Sequence, residues 1–397
     1  MNAAMQIVFW AGAAWLLYVY VGYPVVLALV ALKRRIRPAA NESSLPLVSV
    51  LIAARNEQKD IGWKLAETLN WDYPTDRLEV LVASDASEDA TDAIVKSIDD
   101  PRVTLVRMER RGGKNRALNR LVEQARGEVL FFTDANAHIG PGCLRRMVRH
   151  FADRRVGCVT GDSYPIEDAE KATIGNGAGV YWGYESVLKR LENSLGSVLV
   201  CDGAIFCMRR SLYHPLYPEL ANDLELPLRI AHAGYWVLHE PEGRVFERDT
   251  TSSSQEYARR RRICAQGALA AWKLRQTLHG LRGWQFFSHK ILRWLTLVPM
   301  VLVLASSAAL ARNWFFSTLL ILQGGFYCAA LLAYVLTAWG KGAGRLFAIP
   351  LYIVLGGIGA IAGVCDACRG RKFDVWEIPT LSRGEGIAKS SWKEAGA

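Results

Sequence analysis

The chain has 397 residues, of which 51% are hydrophobic, and its 48 basic against 38 acidic residues give a formal net charge of +10. This length suits two or three ordinary domains and excludes a single small module. No nucleic-acid reading module is recognisable and the basic residues cluster beside long apolar windows, so we expect a membrane with anionic lipids, and no nucleic acid, as the partner of this charge.

Four windows carry no charged residue and are apolar enough to cross a bilayer, whose core is spanned by roughly 20 residues of helix. They are Ile7–Leu32, Trp294–Ala311, Asn313–Gly340 and Leu346–Cys365. The first is too long for a secretory signal and no small-residue cleavage site follows it. Residues 1–32 are therefore predicted to be a retained transmembrane anchor, with a buried core helix as the alternative.

The basic segment KRRIR at 33–37 follows the first window directly. Because positive segments stay on the cytoplasmic side, we expect the soluble domain in the cytoplasm and the protein in the inner or plasma membrane as a multi-pass protein. Residues 294–365 are expected to form the C-terminal transmembrane helices. Residues 366–397 are expected to form a surface tail. Four crossings would place this tail outside although its basic residues favour the inside, so the sequence leaves its side open.

Residues 33–254 open as alternating strands and helices. Apolar runs predict strands at 47–54, 78–84, 102–107 and 128–134, and helical spacing predicts helices at 55–70, 91–98 and 113–124. Alternation with short links predicts an α/β fold with a mostly parallel, Rossmann-like sheet. Ligands of such folds bind at the carboxyl ends of the strands.

Polar clusters follow three of these predicted strands: ARNE at 54–57, SDASEDAT at 84–91 and TDAN at 133–136. Each cluster alone is equally typical of a helix N-cap or turn. Because the carboxyl ends of parallel strands meet at one edge, the three together predict a functional site there.

Residues 255–293 mix arginines and lysines with Trp272, Trp284, Phe286 and Phe287. Apolar aromatics and long basic side chains in one segment are typical of helices lying on a membrane surface. We therefore predict an amphipathic interfacial segment between the soluble domain and the last apolar windows.

Six motifs in order, VSVLIAARNE, LVASDASEDAT, GGKNRALN, FTDANA, CDGAIFCMRR and NDLELPLRIAHAGYWV, resemble the membrane-bound family 2 inverting glycosyltransferases of the GT-A fold. The resemblance covers roughly residues 45–270 and extends to bacterial enzymes of cell-surface glycan synthesis. It implies a cytoplasmic GT-A domain with one N-terminal and about three C-terminal transmembrane helices. It also implies transfer of a sugar from a nucleotide-diphospho sugar to a membrane-associated acceptor, either lipid-linked or a glycan.

The resemblance assigns the donor site motif by motif. Contacts to the nucleotide would come from residues Ala54, Asn56, Glu57 and Asp85. Lys114 would approach the diphosphate as a point charge.

At the family's metal-binding motif, Asp134 and Asn136 would hold a divalent cation, Mg²⁺ or Mn²⁺, between the phosphates. Asn136 stands where a second carboxylate is commoner, so weaker metal binding is expected. His138 is two residues further along and is expected to face away from the site.

The resemblance makes Asp223 the general base, with Asn222 in place of the family's first acidic residue. An inverting transfer needs one carboxylate to take the proton of the acceptor hydroxyl. Glu225 is a rival, but two residues on a helix point about 200° apart, so one alone can face the site.

Arg259 and Arg262 keep the polar positions of a motif found in processive members and are expected at the diphosphate, but Ile263 replaces its tryptophan. A single or short addition is therefore favoured, with a processive polysaccharide synthase that translocates its product as the alternative. A catalytically inactive membrane scaffold is a further alternative, because Asn136 and Asn222 each remove a carboxylate. The sequence does not identify the sugar, the nucleotide, the acceptor linkage or the oligomeric state.

Overall fold

A computed structural model describes residues 2–166, 173–248, 252–339 and 341–374. The strands are β1 (Val48–Ala54), β2 (Leu78–Ser84), β3 (Val103–Arg107), β4 (Val129–Asp134), β5 (His138–Ile139), β6 (Val156–Ile166), β7 (Ile205–Arg209) and β8 (Trp236–Arg248). The helices are α1 (Asn2–Leu17), α2 (Tyr23–Arg34), α3 (Ile61–Leu69), α4 (Thr91–Lys96), α5 (Lys114–Gln124), α6 (Cys143–Val148), α7 (Thr173–Asn193), α8 (Asn222–His232), α9 (Ser253–Lys273), α10 (Gly280–Phe286), α11 (Leu292–Trp294), α12 (Leu297–Ala309), α13 (Trp314–Ala338) and α14 (Arg345–Cys368). The described part of the predicted surface tail ends at residue 374, and its remainder lies outside the described residues.

These strands form an eight-stranded sheet with the order β3-β2-β1-β4-β7-β6-β8-β5. The strands β3, β2, β1 and β4 are mutually parallel, as the alternating sequence pattern predicts. Strand β7 runs antiparallel to both β4 and β6, and β8 runs parallel to β6. The predicted α/β fold with a mostly parallel sheet is therefore confirmed, and the strands after β4 add a mixed half.

The register of the parallel strands brings their polar ends together. Ala54 of β1 pairs with Ser84 of β2, and Ala53 pairs with Asp134 of β4. Every residue of β1 and β2 is buried, because helices and other core elements cover both faces of the sheet. The segments that follow these three strands thus leave the sheet at one edge.

Helix α3 begins at Ile61, several residues later than the helical spacing at 55–70 predicts. Asn56 has a positive φ of 51°, which is incompatible with a right-handed helix. Its N–H donates to Ser87 Oγ at 3.0 Å and its Oδ1 accepts from the Glu88 N–H at 2.8 Å. The segment after β1 is therefore a loop paired with the loop after β2.

In the described ranges, three helical segments are long and apolar enough to cross a membrane: Ala3–Arg34, Trp314–Ala338 and Leu346–Cys368. A fourth candidate is the pair Gly280–Trp294 and Leu297–Ala309, whose axes differ by 56°. The predicted window at 294–311 therefore overlaps a bent pair of helices, whereas each of the other three windows corresponds to one continuous helical segment.

Helix α9 packs closely against α14. A Cβ atom added at Gly363 would lie 2.2 Å from the Arg261 carbonyl oxygen, so a glycine is needed for the two helices to approach. Arg261 also forms an ion pair with Asp366 near the end of α14, with Nε–Oδ2 and Nη2–Oδ1 distances of 2.5 and 3.0 Å. This contact joins the arginine-rich segment to the last apolar helix.

Candidate functional site

A cavity of about 1560 Å³ lies at the carboxyl edge of the parallel strands. Its walls include the loops after β1 and β4, the start of α5, the start of α8 and one side of α9. The cavity continues between the apolar helices, where α1, α12, α13 and α14 contribute lining residues. One continuous space therefore connects the strand ends to the apolar half of the molecule.

Lys114 and Asp134 form an ion pair at the strand end of this cavity, Nζ to Oδ1. The loop in front of Lys114 is fixed by Asp85, whose two carboxylate oxygens accept from the N–H groups of Gly112 and Gly113 at 2.6 and 2.9 Å. Gly113 has a φ of 88°, a conformation that favours glycine. The fully buried Asp85 thus positions the loop that presents Lys114 to the cavity.

The predicted nucleotide-binding residues separate into two groups. Glu57 lines the cavity together with Lys114 and Asp134. Ala54 is fully buried in β1, and Asn56 and Asp85 bond to the backbone of neighbouring loops, behind the cavity wall. Direct contacts from this second group to a nucleotide stay a prediction.

The side chain of Lys64 stabilises the turn after β4 by hydrogen bonds. The ammonium of this fully buried lysine donates to Thr133 Oγ1 at 3.1 Å and to the Ala137 carbonyl at 2.5 Å. Burial lowers the pKa of Lys64 to about 8, against the opposing influence of Glu67 and Asp134. These bonds fix the backbone on both sides of Asp134 and Asn136.

Asn136 is exposed and lines the cavity, whereas His138 does not line it. The His138 ring stacks on Trp63 with centroids 3.7 Å apart and planes at 7°. Its Nδ1 lies 3.5 Å from Glu67 Oε1. His138 thus contacts Trp63 and Glu67 and does not line the cavity that holds Asp134, in agreement with the expectation that it faces away from the site.

Oxygen donors at Asp134 and Asn136 fit a hard divalent cation. Mg²⁺ is commonly held by one or two carboxylates together with phosphate oxygens and water. Within the described ranges, no group of three or more histidine, cysteine or acidic side chains is arranged to hold a metal by itself. An ion here would therefore need further oxygen ligands, from water or from a bound ligand.

Asp223 lies in the first turn of α8 and lines the cavity next to Gly203. A Cβ at Gly203 would lie 3.3 Å from Asp223 Oδ2, so the glycine leaves room for this carboxylate. Burial raises the pKa of Asp223 to about 6, and Lys114 acts in the opposite direction. A carboxylate with this pKa is able to accept a proton near neutral pH.

Glu225 has different surroundings from Asp223, as helical spacing predicts. It is fully buried, pairs with Arg229 at 2.6 Å and accepts from the Tyr217 N–H at 3.1 Å. It does not line the cavity. Although burial also raises the pKa of Glu225 to about 7, its carboxylate is committed to structural contacts.

The arginine-rich helix α9 contributes Arg259, Arg262 and Ile263 to the cavity wall. Arg259 Nη1 lies 3.9 Å from Glu256 Oε2. Two predicted diphosphate ligands and the residue that replaces the family's tryptophan thus lie at the same cavity as Asp134 and Asp223.

Residues 49–216 match the family described as Glycosyl transferase family 2. The chain carries a family 2 glycosyltransferase domain. It is 32% identical over 162 residues to a beta-monoglucosyldiacylglycerol synthase of Synechocystis sp., covering 38% of this chain and 34% of that protein. It is 23% identical over 212 residues to a poly-beta-1,6-N-acetyl-D-glucosamine synthase of Staphylococcus aureus, covering 52% of this chain and 50% of that protein. The chain thus spans half or less of the length of these relatives.

The fold resembles that of the mannosyltransferase PcManGT from Pyrobaculum calidifontis, solved in complex with GDP-Man and Mn²⁺. The TM-score is 0.67 at 22% identity, and the match covers 91% of this chain and 99% of the other. This similarity confirms the predicted GT-A fold. The family match ends at residue 216, so Asp223 and α9 lie beyond the matched part of the glycosyltransferase domain.

Two acidic residues that line the cavity, Glu247 and Asp202, are not among the predicted site residues. Glu247 of β8 is partly buried and lines the cavity, and burial, Asp134 and Asp202 together raise its pKa to about 8. Asp202, which follows Cys201, accepts from Ser163 Oγ at 2.7 Å. Glu247 lies within a strand with no motif around it, so no local signal identifies it. Asp202 lies inside the CDGAIFCMRR motif, and this motif is the sequence feature that could have identified it as a site residue.

An ionic belt lines the cavity between the strand ends and the apolar helices. It consists of Glu185, Lys189, Glu192, His289, Lys290 and Arg293. His289 Nδ1 lies 2.7 Å from Glu192 and its Nε2 lies 3.1 Å from Glu185. Burial alone would raise the pKa of Glu185, but Arg293, Lys290 and His289 hold it well below the usual value. Sequence reasoning missed this belt because α7 and α10–α11 are far apart in the chain.

Proposed function

We propose that the protein is an inverting glycosyltransferase that moves a sugar from a nucleotide-diphospho sugar to a hydroxyl of a membrane-associated acceptor. One observation carries this proposal: Lys114, Asp134 and Asp223, from three separate segments, line the same cavity. A cation, a potential metal ligand and a carboxylate of raised pKa are the groups that such a transfer requires.

Asp223 is the proposed general base. Its carboxylate takes the proton of the acceptor hydroxyl while the hydroxyl oxygen bonds to the anomeric carbon. The bond from that carbon to the diphosphate oxygen breaks on the opposite face, which inverts the configuration. Its pKa of about 6 leaves Asp223 ionised at neutral pH and still basic enough to hold the proton.

The leaving nucleoside diphosphate needs its charge neutralised. Lys114, Arg259 and Arg262 supply positive charge from two walls of the cavity. Asp134 and Asn136 would hold a divalent cation, which supplies Lewis-acid stabilisation of the diphosphate. The GDP-Man and Mn²⁺ in the similar mannosyltransferase support a nucleotide sugar and a divalent metal here.

The acceptor is proposed to come from the membrane. Among the residues that the structure describes, three helical segments are long and apolar enough to span a bilayer. The basic segment 33–37 supports a glycosyltransferase domain on the cytoplasmic side of an inner or plasma membrane. The names of the two relatives, a glucosyldiacylglycerol synthase and a glucosamine polymer synthase, support lipid and glycan acceptors respectively.

A donor screen with the purified full chain tests the proposal. Nucleoside diphosphate release is measured for a panel of nucleotide sugars with Mn²⁺ or Mg²⁺. We expect release with at least one donor, and a loss of about 10²–10⁴-fold in Asp223→Asn with donor affinity within twofold of wild type. Absence of release with every donor would favour the inactive scaffold, and full activity of Asp223→Asn would exclude this base.

The similarity to a polymer synthase keeps processive synthesis as a second candidate. Ile263 lies at the cavity in place of the family's stacking tryptophan, which favours single or short addition. Product length with a labelled donor distinguishes the two, because a ladder of long polymers would establish processive synthesis.

A further inference from the structure

We propose that the acceptor is a membrane lipid with an uncharged hydroxyl headgroup, whose hydrocarbon chain lies in the apolar part of the cavity while its hydroxyl reaches Asp223. This inference rests on the proposed glycosyltransferase function and specifies its acceptor class. It depends on three features: an apolar arm of the cavity, the charge balance of the ionic belt, and open space beside one glycine.

The apolar arm is the end of the cavity that lies among the apolar helices. Its lining residues include Leu16, Met300, Phe326, Ile349, Ile353 and Gly356. They come from α1, α12, α13 and α14, and three of these helices belong to segments that are long and apolar enough to cross a membrane. An apolar space continuous with a polar active site fits an amphiphile better than a sugar or a soluble glycan, because hydrocarbon gains free energy there and polar hydroxyls do not.

The ionic belt lies where the headgroup would pass. Arg293 pairs with Glu185, and Lys189 lies 3.1 Å from Asp162 and 3.9 Å from Asp202. Lys290 lies 3.8 Å from Glu185, and His289 contacts both Glu185 and Glu192, so every basic side chain of the belt has a carboxylate partner. A lipid phosphate would lie beside these carboxylates and beside Asp223, which is unfavourable at short range in a site of reduced dielectric constant.

A hydroxyl headgroup carries no charge, so the carboxylates of the belt do not repel it. It needs hydrogen-bond partners but no net charge, and the belt offers both carboxylate acceptors and basic donors at the cavity wall. The acceptor hydroxyl can then lie at Asp223 without a competing phosphate charge. A glycerolipid with a free hydroxyl, such as a diacylglycerol, has this chemistry.

Gly356 provides a way to test the apolar arm. It lines the cavity from α14, and a Cβ atom added there would meet no heavy atom within 4 Å. In Gly356→Leu the new side chain therefore starts in open space at the wall of the arm. Gly325 on α13 is a matched control, because a Cβ there also meets nothing within 4 Å and the residue does not line the cavity.

The experiment measures transfer by the full chain in detergent micelles, using the donor found in the screen. The acceptors are dioleoylglycerol, the tail-less alcohol glycerol, and undecaprenyl phosphate. We expect dioleoylglycerol to be the best acceptor. In Gly356→Leu its KM should rise by about tenfold or more, equivalent to about 1.4 kcal/mol, with donor KM and the slow transfer to glycerol unchanged. Gly325→Leu should behave as wild type.

A second variant in the same arm keeps the test valid if Gly356→Leu fails to fold. Ile353, which lines the arm and is 39% exposed, tolerates enlargement, and Ile353→Trp should raise the same KM. A KM for dioleoylglycerol within twofold of wild type in both variants would overturn the apolar-arm assignment. A preference for undecaprenyl phosphate would overturn the uncharged headgroup. Failure of the glycosyltransferase function itself is seen separately, as no nucleoside diphosphate release with any donor, and would remove the basis of the inference.

Discussion

The strand side of the cavity presents Lys114 from the start of α5, directly after the glycine turn, and Asp134 from the end of β4. The helix side presents Glu185, His289 and Arg293 from helical segments that are distant in the chain. On the strand side, the register of a parallel sheet brings the side chains together. On the helix side, buried ion pairs between helices do so. We infer that the strand side carries the chemistry of transfer, and that the helix side holds the apolar half in place and shapes the acceptor path.

The largest expected effect tests the helix side. Glu185→Gln removes the buried carboxylate that Arg293, Lys290 and His289 share, and removing one partner of a buried ion pair typically costs about 3–5 kcal/mol. We expect a loss of about 3 kcal/mol in the free energy of unfolding, measured by denaturant titration in detergent micelles.

The matched control for this prediction is Glu123→Gln. Glu123 pairs with Arg120, with both side chains more than half exposed, so its loss should change stability by less than about 0.5 kcal/mol. If Glu185→Gln were as stable as this control, the ionic belt would not be what joins α7 to the later helices.

The next largest effect tests the strand side. Asp134→Asn removes the proposed ionised metal ligand and the partner of Lys114. We expect about a hundredfold loss of transfer, because mutation of even the outer partners of a metal site typically costs about 10–100-fold. The free energy of unfolding should change by less than about 1 kcal/mol, because Asp134 is partly exposed. Asp76→Asn, an exposed change outside the cavity, is the control for both readouts. Equal activity of the two variants would remove Asp134 from the site.

The two sides also differ in how far the sequence predicts them. The apolar runs of β1, β2 and β4 and the residues after them predict the strand edge, because strand direction and short loops leave few alternative placements. The sequence cannot predict that Asp85 bonds to Gly112 and Gly113, since that contact depends on the conformation of a distant loop. Glu247 and the belt depend on tertiary packing between segments with no local motif.

A smaller effect follows from the raised pKa of Asp223. Below about pH 6 the carboxyl is protonated and cannot accept the acceptor's proton, so kcat/KM should rise about tenfold per pH unit up to that value and then level off. Donor affinity measured over the same range separates loss of the base from loss of binding. A profile that stays flat down to pH 4.5 would mean that proton transfer to Asp223 does not limit the reaction.

The smallest expected effect tests the second proposed metal ligand on the strand side of the cavity. Asn136 is exposed at the cavity, two residues from Asp134, and offers a neutral carbonyl oxygen. In Asn136→Asp a second carboxylate should lower the metal concentration for half-maximal activity by about threefold to tenfold, because hard cations bind charged oxygens more tightly. Titration of Mn²⁺ and Mg²⁺ against activity measures this. A control titration in Asn70→Asp, which adds the same charge outside the cavity, accounts for the general effect of one more negative charge. An unchanged metal requirement in Asn136→Asp would mean that Asn136 is not a ligand and that Asp134 alone holds the ion with the diphosphate.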